Sequence, residues 1–569
     1  MADRALLRRA GLLALIVAVV LGVAGIFQHG LLTPDEPREA EIAREMLHPA
    51  MPGLPAFSAL PTLGGEPFLE KPPLCAWITG ASMGVFGVSA GAARIPSALF
   101  GIGAVWVAYL MGKRAAGRLA GLCSAVALAT MWQFSETSHK AVLDVALTFF
   151  VGAGHLAFLR AREERGLVPY VAVGALSGLA FLTKAWIGPA LLCAPPILAW
   201  AAMGDWATVK RVLPRAFVAS VLGVAAFGLP WVMALAHTPG GGWPAVTECL
   251  VNQSVGRSIG GEGASKLGHA NPPWYYTYTA LLVLAPWCLA IPAMVKGSTL
   301  ARSWRGGRTL WLGLIFVTGV LLLSIPSGKR DLYLMPLLPA ASVPVGVWLS
   351  RVGSRRGGAW DTKSCRGLTA LAWTITTVVG LCIAYASRGG PLPKSLVDPA
   401  RELAYRDFGF GAIVVGLTCL AAAIWVRRVR RMVPPVPVRT AWALVLLFAF
   451  LHTAVRPLLD PLRDMSAGSR EIAALVPANE RFVAFDADET TLGAVPFHSG
   501  RVLENIKGRN DSETVRMALD ALESGSAGHL VVMDSDVRKL TPALKQRLDL
   551  VKTVRVSATR DVNVYVRKP

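Results

Sequence analysis

The chain has 569 residues, 53% of them hydrophobic and only 16% charged, with a mean hydropathy of +0.49. A soluble protein of this length carries about 25% charged residues, so that class is excluded. The net charge of +21 does not point to nucleic acid either, because the basic residues sit in short clusters between apolar runs.

A run of about 20 apolar residues crosses a bilayer as a helix. Thirteen spans are predicted, at 10–29, 94–112, 116–134, 141–159, 168–183, 185–203, 213–236, 279–296, 309–325, 331–349, 368–387, 408–426 and 438–459. With that count the basic segments "MADRALLRR", "GKRAAGR", "RAREERG", "DWATVKRVLPR", "KGSTLARSWRGGR", "RVGSRRGGAWDTKSCR" and "RRVRRMVPPVPVR" fall on one side. The positive-inside rule makes that side, and the N-terminus, cytoplasmic. The chain then reads as an α-helical polytopic membrane protein. A cleaved signal peptide at 1–30 is the weaker reading, since no A-x-A site precedes Asp35.

Three outer stretches, 30–93, 237–278 and 388–407, are too long for plain connectors. The expected membrane domain is 1–459, with juxtamembrane helices in loop 30–93, and 460–569 reads as a soluble extracytoplasmic α/β domain. In that domain "RFVAF", "GRVLENI", "HLVVMD" and "VNVYVRK" read as strands, and "SETVRMALDAL" and "TPALKQRLDLV" as helices. The D-x-D-x-T run at 486–490 imitates an aspartyl-phosphatase opening, but the domain is too short for that fold. Eight scattered cysteines without a C-x-x-C pair argue against a disulfide framework or zinc site.

The stretch "TPDEPREAEIAREML" (33–47) follows the first span directly. Asp35 is placed to cap a helix and Pro37 to sit in its first turn. Ala40, Ala43 and Leu47 make a narrow apolar stripe, with Glu39, Glu41, Arg44 and Glu45 facing away, as in a helix lying on the membrane surface. Capping accounts for one carboxylate but not for Glu36 and Arg38 beside it. In "FLEKPPL", Glu70 and Lys71 precede a Pro-Pro helix start over roughly 72–87, where Lys71 either binds an anion or snorkels. Asp144 lies inside the fourth span, where a carboxylate costs about 2.5–3.5 kcal/mol at the bilayer centre, so it is expected to face a polar cavity. Lys184, Lys329, Arg330 and Asp331 sit at outer ends of spans, and Arg257 and His269 in the second long loop. Acids and cations gathered at one outer face suit a lipid-linked phosphosugar.

These segments carry a resemblance. "TPDEPREAEIAREML", "GEPFLEKPPL", "LDVALTFF", "LTKAW", "VGR…H…PPWYY" and "KRDLYLMPLLPA", in order over about 1–350, resemble the C-type membrane glycosyltransferases, nearest the aminoarabinose (lipid A) transferase and protein O-mannosyltransferase-related group. The resemblance implies the C-type fold with a small C-terminal α/β periplasmic domain. It implies transfer of a sugar from a polyprenyl-phosphate donor to an envelope acceptor outside the cytoplasmic membrane. The leading version moves 4-amino-4-deoxy-L-arabinose to lipid A; the alternative is protein or glycan O-glycosylation.

By the same resemblance Asp35, Asp144 and Glu36 are the catalytic candidates. Lys71, Arg257, Tyr333, Arg38, Lys184 and Arg330 are candidates for the donor phosphate, and Glu70 and His269 for the cavity wall. A divalent metal on Glu70 and His269 stays open, and no other cofactor is expected. Expected partners are the lipid-linked sugar, the acceptor and membrane lipids, with the chain a monomer. Two departures from the family pattern are Glu39, where an aromatic residue is usual, and "SGKRDLY". A rival of another class is a transporter of a lipid-linked or anionic substrate; no internal repeat supports it.

Overall fold

The computed structural model describes residues 25–256, 271–296, 307–353, 358–387 and 436–568, together with Leu12, Leu15 and Ile16. A short helix α1 (Asp35–Leu47) precedes a two-stranded hairpin, β1 (Thr62–Leu63) and β2 (Glu66–Pro67). An apolar helix α2 (Leu74–Phe86) follows, close to the expected 72–87. The helical bundle then runs through α3 (Ala90–Ala116), α4 (Arg118–Ala129), α5 (Leu143–Glu163), α6 (Val168–Lys184), α7 (Ile187–Ala202) and α8 (Trp206–His237). After it come α9 (Tyr275–Val283), α10 (Arg308–Ser324), a 3₁₀ segment at Asp331–Leu337 leading into α11 (Leu338–Gly353), α12 (Ala359–Ser387) and α13 (Val436–Phe450).

Sequence sets several boundaries. Ser89 caps α3 by accepting from the Ala92 amide, and Asp205 caps α8 by accepting from Thr208. Gly117, at φ +90°, ends α3 and turns the chain into α4. Where α6 crosses α8, a Cβ on Gly223 would stand 1.8 Å from the Gly174 carbonyl oxygen. Only glycine permits that approach, and small residues are how helices pack closely in lipid.

Among the described residues, five helices are long and apolar enough to cross a membrane, or six if one bent pair counts as a single span. The pair is Tyr275–Val283 and Trp287–Val295, bent by 97° where a straight eighth span was expected. Pro286 follows the first half and denies Ala285 a helical conformation. Five other expected spans are shorter apolar helices: α4, α6, α7, α10 and α13. The expected spans 10–29 and 408–426 fall largely or wholly outside the described residues, as does loop 388–407.

Beyond α13 a helix α14 (Ser466–Leu475) leads into β3 (Val483–Phe485), α15 (Glu489–Ser499), β4 (Glu504–Ile506), α16 (Asp511–Glu523), β5 (His529–Met533), β6 (Leu548–Ser557) and β7 (Arg560–Arg567). The sheet order is β4-β3-β5-β7-β6, with β3 parallel to both β4 and β5 and the last two strands antiparallel. One expectation is corrected here. "TPALKQRLDLV" holds a helix only over Pro542–Gln546, and its end enters β6. The following "KTVRV" is rich in β-formers and gains a full ladder with β7, which outweighs local helix propensity. The acids of the D-x-D-x-T run are held in ion pairs, Asp486 with Lys507 and Lys539, and Asp488 with Arg560.

The sheet region packs directly on α1. Ile42 and Leu63 share one apolar core with Leu492, Val495 and Val531. A Cβ on Gly493 of α15 would stand 2.4 Å from the Pro37 carbonyl carbon, and Thr490 Oγ1 donates to the Pro34 carbonyl at 3.1 Å. The surface-helix expectation for α1 is therefore overturned: Glu41 and Glu45 are buried, not facing solvent. Glu41 pairs with Arg44 at 2.6 Å, and Glu45 accepts from Thr62 Oγ1 and the Gly64 amide. Glu41 finds its partner on its own helix, and Glu45 finds its partners in the hairpin that follows.

Candidate active site

Asp35 is the first residue of α1, not its cap: the cap position is Pro34, which offers no side-chain acceptor. Its carboxylate is free for a distant partner. Arg330, 295 residues away, reaches it with both guanidinium arms, Nη2 to Oδ2 at 2.7 Å and Nη1 to Oδ1 at 3.4 Å. Arg38 Nη2 lies 3.6 Å from Asp35 Oδ1, on the same face one turn on. Burial would push the Asp35 carboxyl up, but Arg330, with Arg38 and Lys71, outweighs it and holds the group at about 2.

Arg38 also donates to Glu39 Oε1 at 2.8 Å and to Glu489 Oε2 of α15 at 2.6 Å. Lys71 Nζ donates to the same Glu39 Oε1 at 2.8 Å. Burial opposes ionisation of Glu39, yet Lys71 and Arg38 hold it at about 2. Lys71 owes its place to the hairpin before it, whose Gly64–Gly65 turn has φ of +65° and +78° and is anchored by Glu45.

Asp144 opens α5 and Lys184 closes α6, and the two meet at 2.7 Å. The Lys184 ammonium also lies over the Tyr333 ring, 4.4 Å from its centroid. Tyr333 and Arg330 are joined through the backbone, the Tyr333 amide donating to the Arg330 carbonyl at 3.1 Å. Arg330 feels the charges of both Asp35 and Asp144. Asp35, Arg38, Lys71, Asp144, Lys184, Arg330 and Tyr333 thus form one linked constellation from five separate stretches of chain.

Glu36 does not join it. Its carboxylate is 1% exposed and accepts from Arg94 Nε at 2.8 Å and Nη2 at 2.7 Å, and from the Leu32 and Ala141 amides at 2.8 Å each. Consecutive residues on a helix point about 100° apart, so when Asp35 faces Arg330 its neighbour faces the bundle. Glu36 is buried against Arg94, apart from the cluster around Asp35. Glu70 is half-buried next to Lys71. Arg257 and His269 lie outside the described residues. No group of three or more His, Cys, Asp or Glu gathers as metal ligands among the described residues.

Two participants were missed by sequence reading. Arg94 carried a signal, as a lone arginine opening an apolar span. Glu489 carried none, being part of the phosphatase-like run. Beside the constellation a small cleft opens between α2, α3 and α5, lined by Glu39, Cys75, Ser97, Phe100, Val142 and Leu143.

Residues 70–233 match the family described as dolichyl-phosphate-mannose-protein mannosyltransferase. Two relatives, both named undecaprenyl phosphate-alpha-4-amino-4-deoxy-L-arabinose arabinosyl transferase 1, come from Pseudomonas fluorescens. The strain Pf0-1 protein is 28% identical over 345 residues, 58% of this chain and 56% of the relative. The strain Pf-5 protein is 30% identical over 325 residues, 55% of each. The chain thus spans little more than half the length of these relatives. The crystal structure of ArnT from Cupriavidus metallidurans bound to undecaprenyl phosphate superposes with a TM-score of 0.75 at 19% identity, covering 97% of both chains. The two share a fold, and the resemblance carried by D-E-P-R and E-K-P-P is borne out.

Proposed function

We propose that the chain is an integral membrane glycosyltransferase of the C-type superfamily that takes its sugar from a polyprenyl phosphate. Thirteen spans, a cytoplasmic N-terminus and a periplasmic domain over 460–569 belong to this reading, as does a place in the bacterial inner membrane. The observation that carries it is the bidentate pairing of Asp35 with Arg330 inside a cluster that also holds Lys71, Lys184 and Tyr333. A phosphate leaving group needs cations, and an anomeric carbon gaining positive charge needs a carboxylate beside it.

In the proposed reaction an acceptor oxygen attacks the anomeric carbon. The bond from that carbon to the donor phosphate oxygen breaks, and the phosphate leaves with the electron pair. Lys71, Arg38, Lys184 and Arg330 receive the charge, with Arg257 and Tyr333 assigned to the same task. Asp35 orients the acceptor and stabilises the positive charge at the anomeric centre, and Asp144 holds Lys184 in place. Glu36 positions α1 without touching substrate.

The state of Asp35 bears on the choice of acceptor. A carboxyl held at about 2 is a poor general base at neutral pH, where an efficient base has a pKa near the working pH. An acceptor that arrives ionised needs no base. This favours a phosphate acceptor, as on lipid A, over a protein or sugar hydroxyl. The sugar suggested by the relatives' names is 4-amino-4-deoxy-L-arabinose.

The 97° bend between α9 and the helix after it resembles the broken helices of transporters. The charged side chains, however, come from α1, the loop before α2, α5, α6 and the 330–333 segment, and none belongs to the bent pair. Asp35→Asn tests the enzyme reading directly. Transfer to lipid A, followed by mass spectrometry of the envelope lipids, is expected to fall by about 100-fold or more, with insertion and melting temperature retained. A normally active variant overturns the assignment of Asp35.

A further inference from the structure

Each cation of the constellation already holds a carboxylate of the chain: Arg330 on Asp35, Lys184 on Asp144, Arg38 on Glu489, and Lys71 on Glu39. An incoming phosphate gains from such a cation only by displacing the resident acid. The four acids are not equivalent. Asp35 and Asp144 are assigned to the reaction, and Glu489 belongs to the domain that holds α1. Glu39 differs in two respects. Its Oε1 bridges two cations, Arg38 and Lys71, at 2.8 Å each. It is also the one charged residue among those lining the cleft between α2, α3 and α5, whose other walls are uncharged. When it releases Lys71 it still has Arg38 as a partner.

We propose that Glu39 is a specificity-determining residue for the lipid phosphate: it competes with that phosphate for the Lys71 ammonium and so sets how firmly the spent polyprenyl phosphate is retained. This rests on the glycosyltransferase reading above and adds a second task to the site. Cations that stabilise a leaving phosphate also bind the product, and a site built only of cations would hold it too long. A carboxylate within hydrogen-bond reach of Lys71 recaptures the ammonium as the phosphate withdraws. Product release is then an exchange of one anion for another, with no bare charge left in a low-dielectric site.

The test is the affinity of the purified full chain, in detergent, for undecaprenyl phosphate. Glu39→Gln keeps the shape and a carbonyl acceptor for Lys71 and removes the charge. It is expected to tighten binding by about tenfold, the scale of relieving one close like-charge contact. In a Lys71→Met background the gain should vanish. KM and kcat for transfer should fall together in Glu39→Gln, because release slows as binding tightens; a purely structural role would not lower KM. An arm with inorganic phosphate should show the same direction of change at weaker absolute affinity. A gain confined to the lipid overturns competition for the anion. Unchanged or weaker binding in Glu39→Gln, with Lys71→Met still weakening the wild type, overturns this inference and leaves the transferase reading standing. Undecaprenyl phosphate binding that ignores Lys71→Met removes Lys71 from the phosphate site and sinks both. If Glu39→Gln does not fold, Glu39→Asp, one methylene short of Lys71, should tighten binding by a smaller factor, and no gain there counts against the proposal.

Discussion

Two adjacent carboxylates divide their labour by the direction a helix gives them. Asp35 faces the Arg330 guanidinium in the charged cluster, while Glu36 faces Arg94 in a buried, fully satisfied pair. Removing one partner of such a pair leaves a buried charge, at a cost of about 3–5 kcal/mol. Arg94→Ala should therefore lower the melting temperature in detergent sharply, and Glu36→Gln less so. Burial opposes ionisation of Glu36, yet Arg94 and two amides hold it at about 2 against an ordinary 4.5. Because the folded-state value is depressed, this stabilisation is complete above 4.5 and is lost as pH falls through about 2. A stability profile against pH should decline in that acid window, and less so in Glu36→Gln.

The hairpin of β1 and β2 shows how an element with almost no core can matter. It is two residues a side, and Glu45 ties its turn to α1 through Thr62 Oγ1 and the Gly64 amide. That tie fixes where the following "FLEKPP" loop begins and so where Lys71 stands. Glu45→Ala should raise KM for the lipid donor severalfold with a smaller change in kcat, measured by transfer kinetics; a change in kcat alone would detach the hairpin from phosphate binding. The bundle helices were legible as apolar runs because the bilayer selects composition over a known length. The strand β6 was not, since it depends on its neighbour β7; the bend after α9 has a local cause in Pro286, which the apolar run around it conceals.

At the scale of the molecule, the C-terminal α/β region holds the helix that carries Asp35. Glu489 takes Arg38, Thr490 bonds the Pro34 carbonyl, and Gly493 lies against Pro37. Gly493→Val would force α15 away from α1. We expect transfer activity to fall by at least about tenfold while the protein still inserts, read by activity against membrane abundance; near-normal transfer would show that α15 does not support Asp35.

The amino-acid sequence alone determined the membrane class, most helix positions, the α/β character of the C-terminal region, and the D-E-P-R and E-K-P-P stretches that carry Asp35, Arg38 and Lys71. Those are properties of composition, period and local motif, readable within a window of some twenty residues. Only the tertiary structure decided that Asp35 meets Arg330, that Glu36 is spent on Arg94, that Glu39 holds Lys71, and that α15 packs against the start of α1. Each is an encounter between stretches far apart in the chain. No local pattern records which buried charge will find which partner, because that is set by how the elements pack.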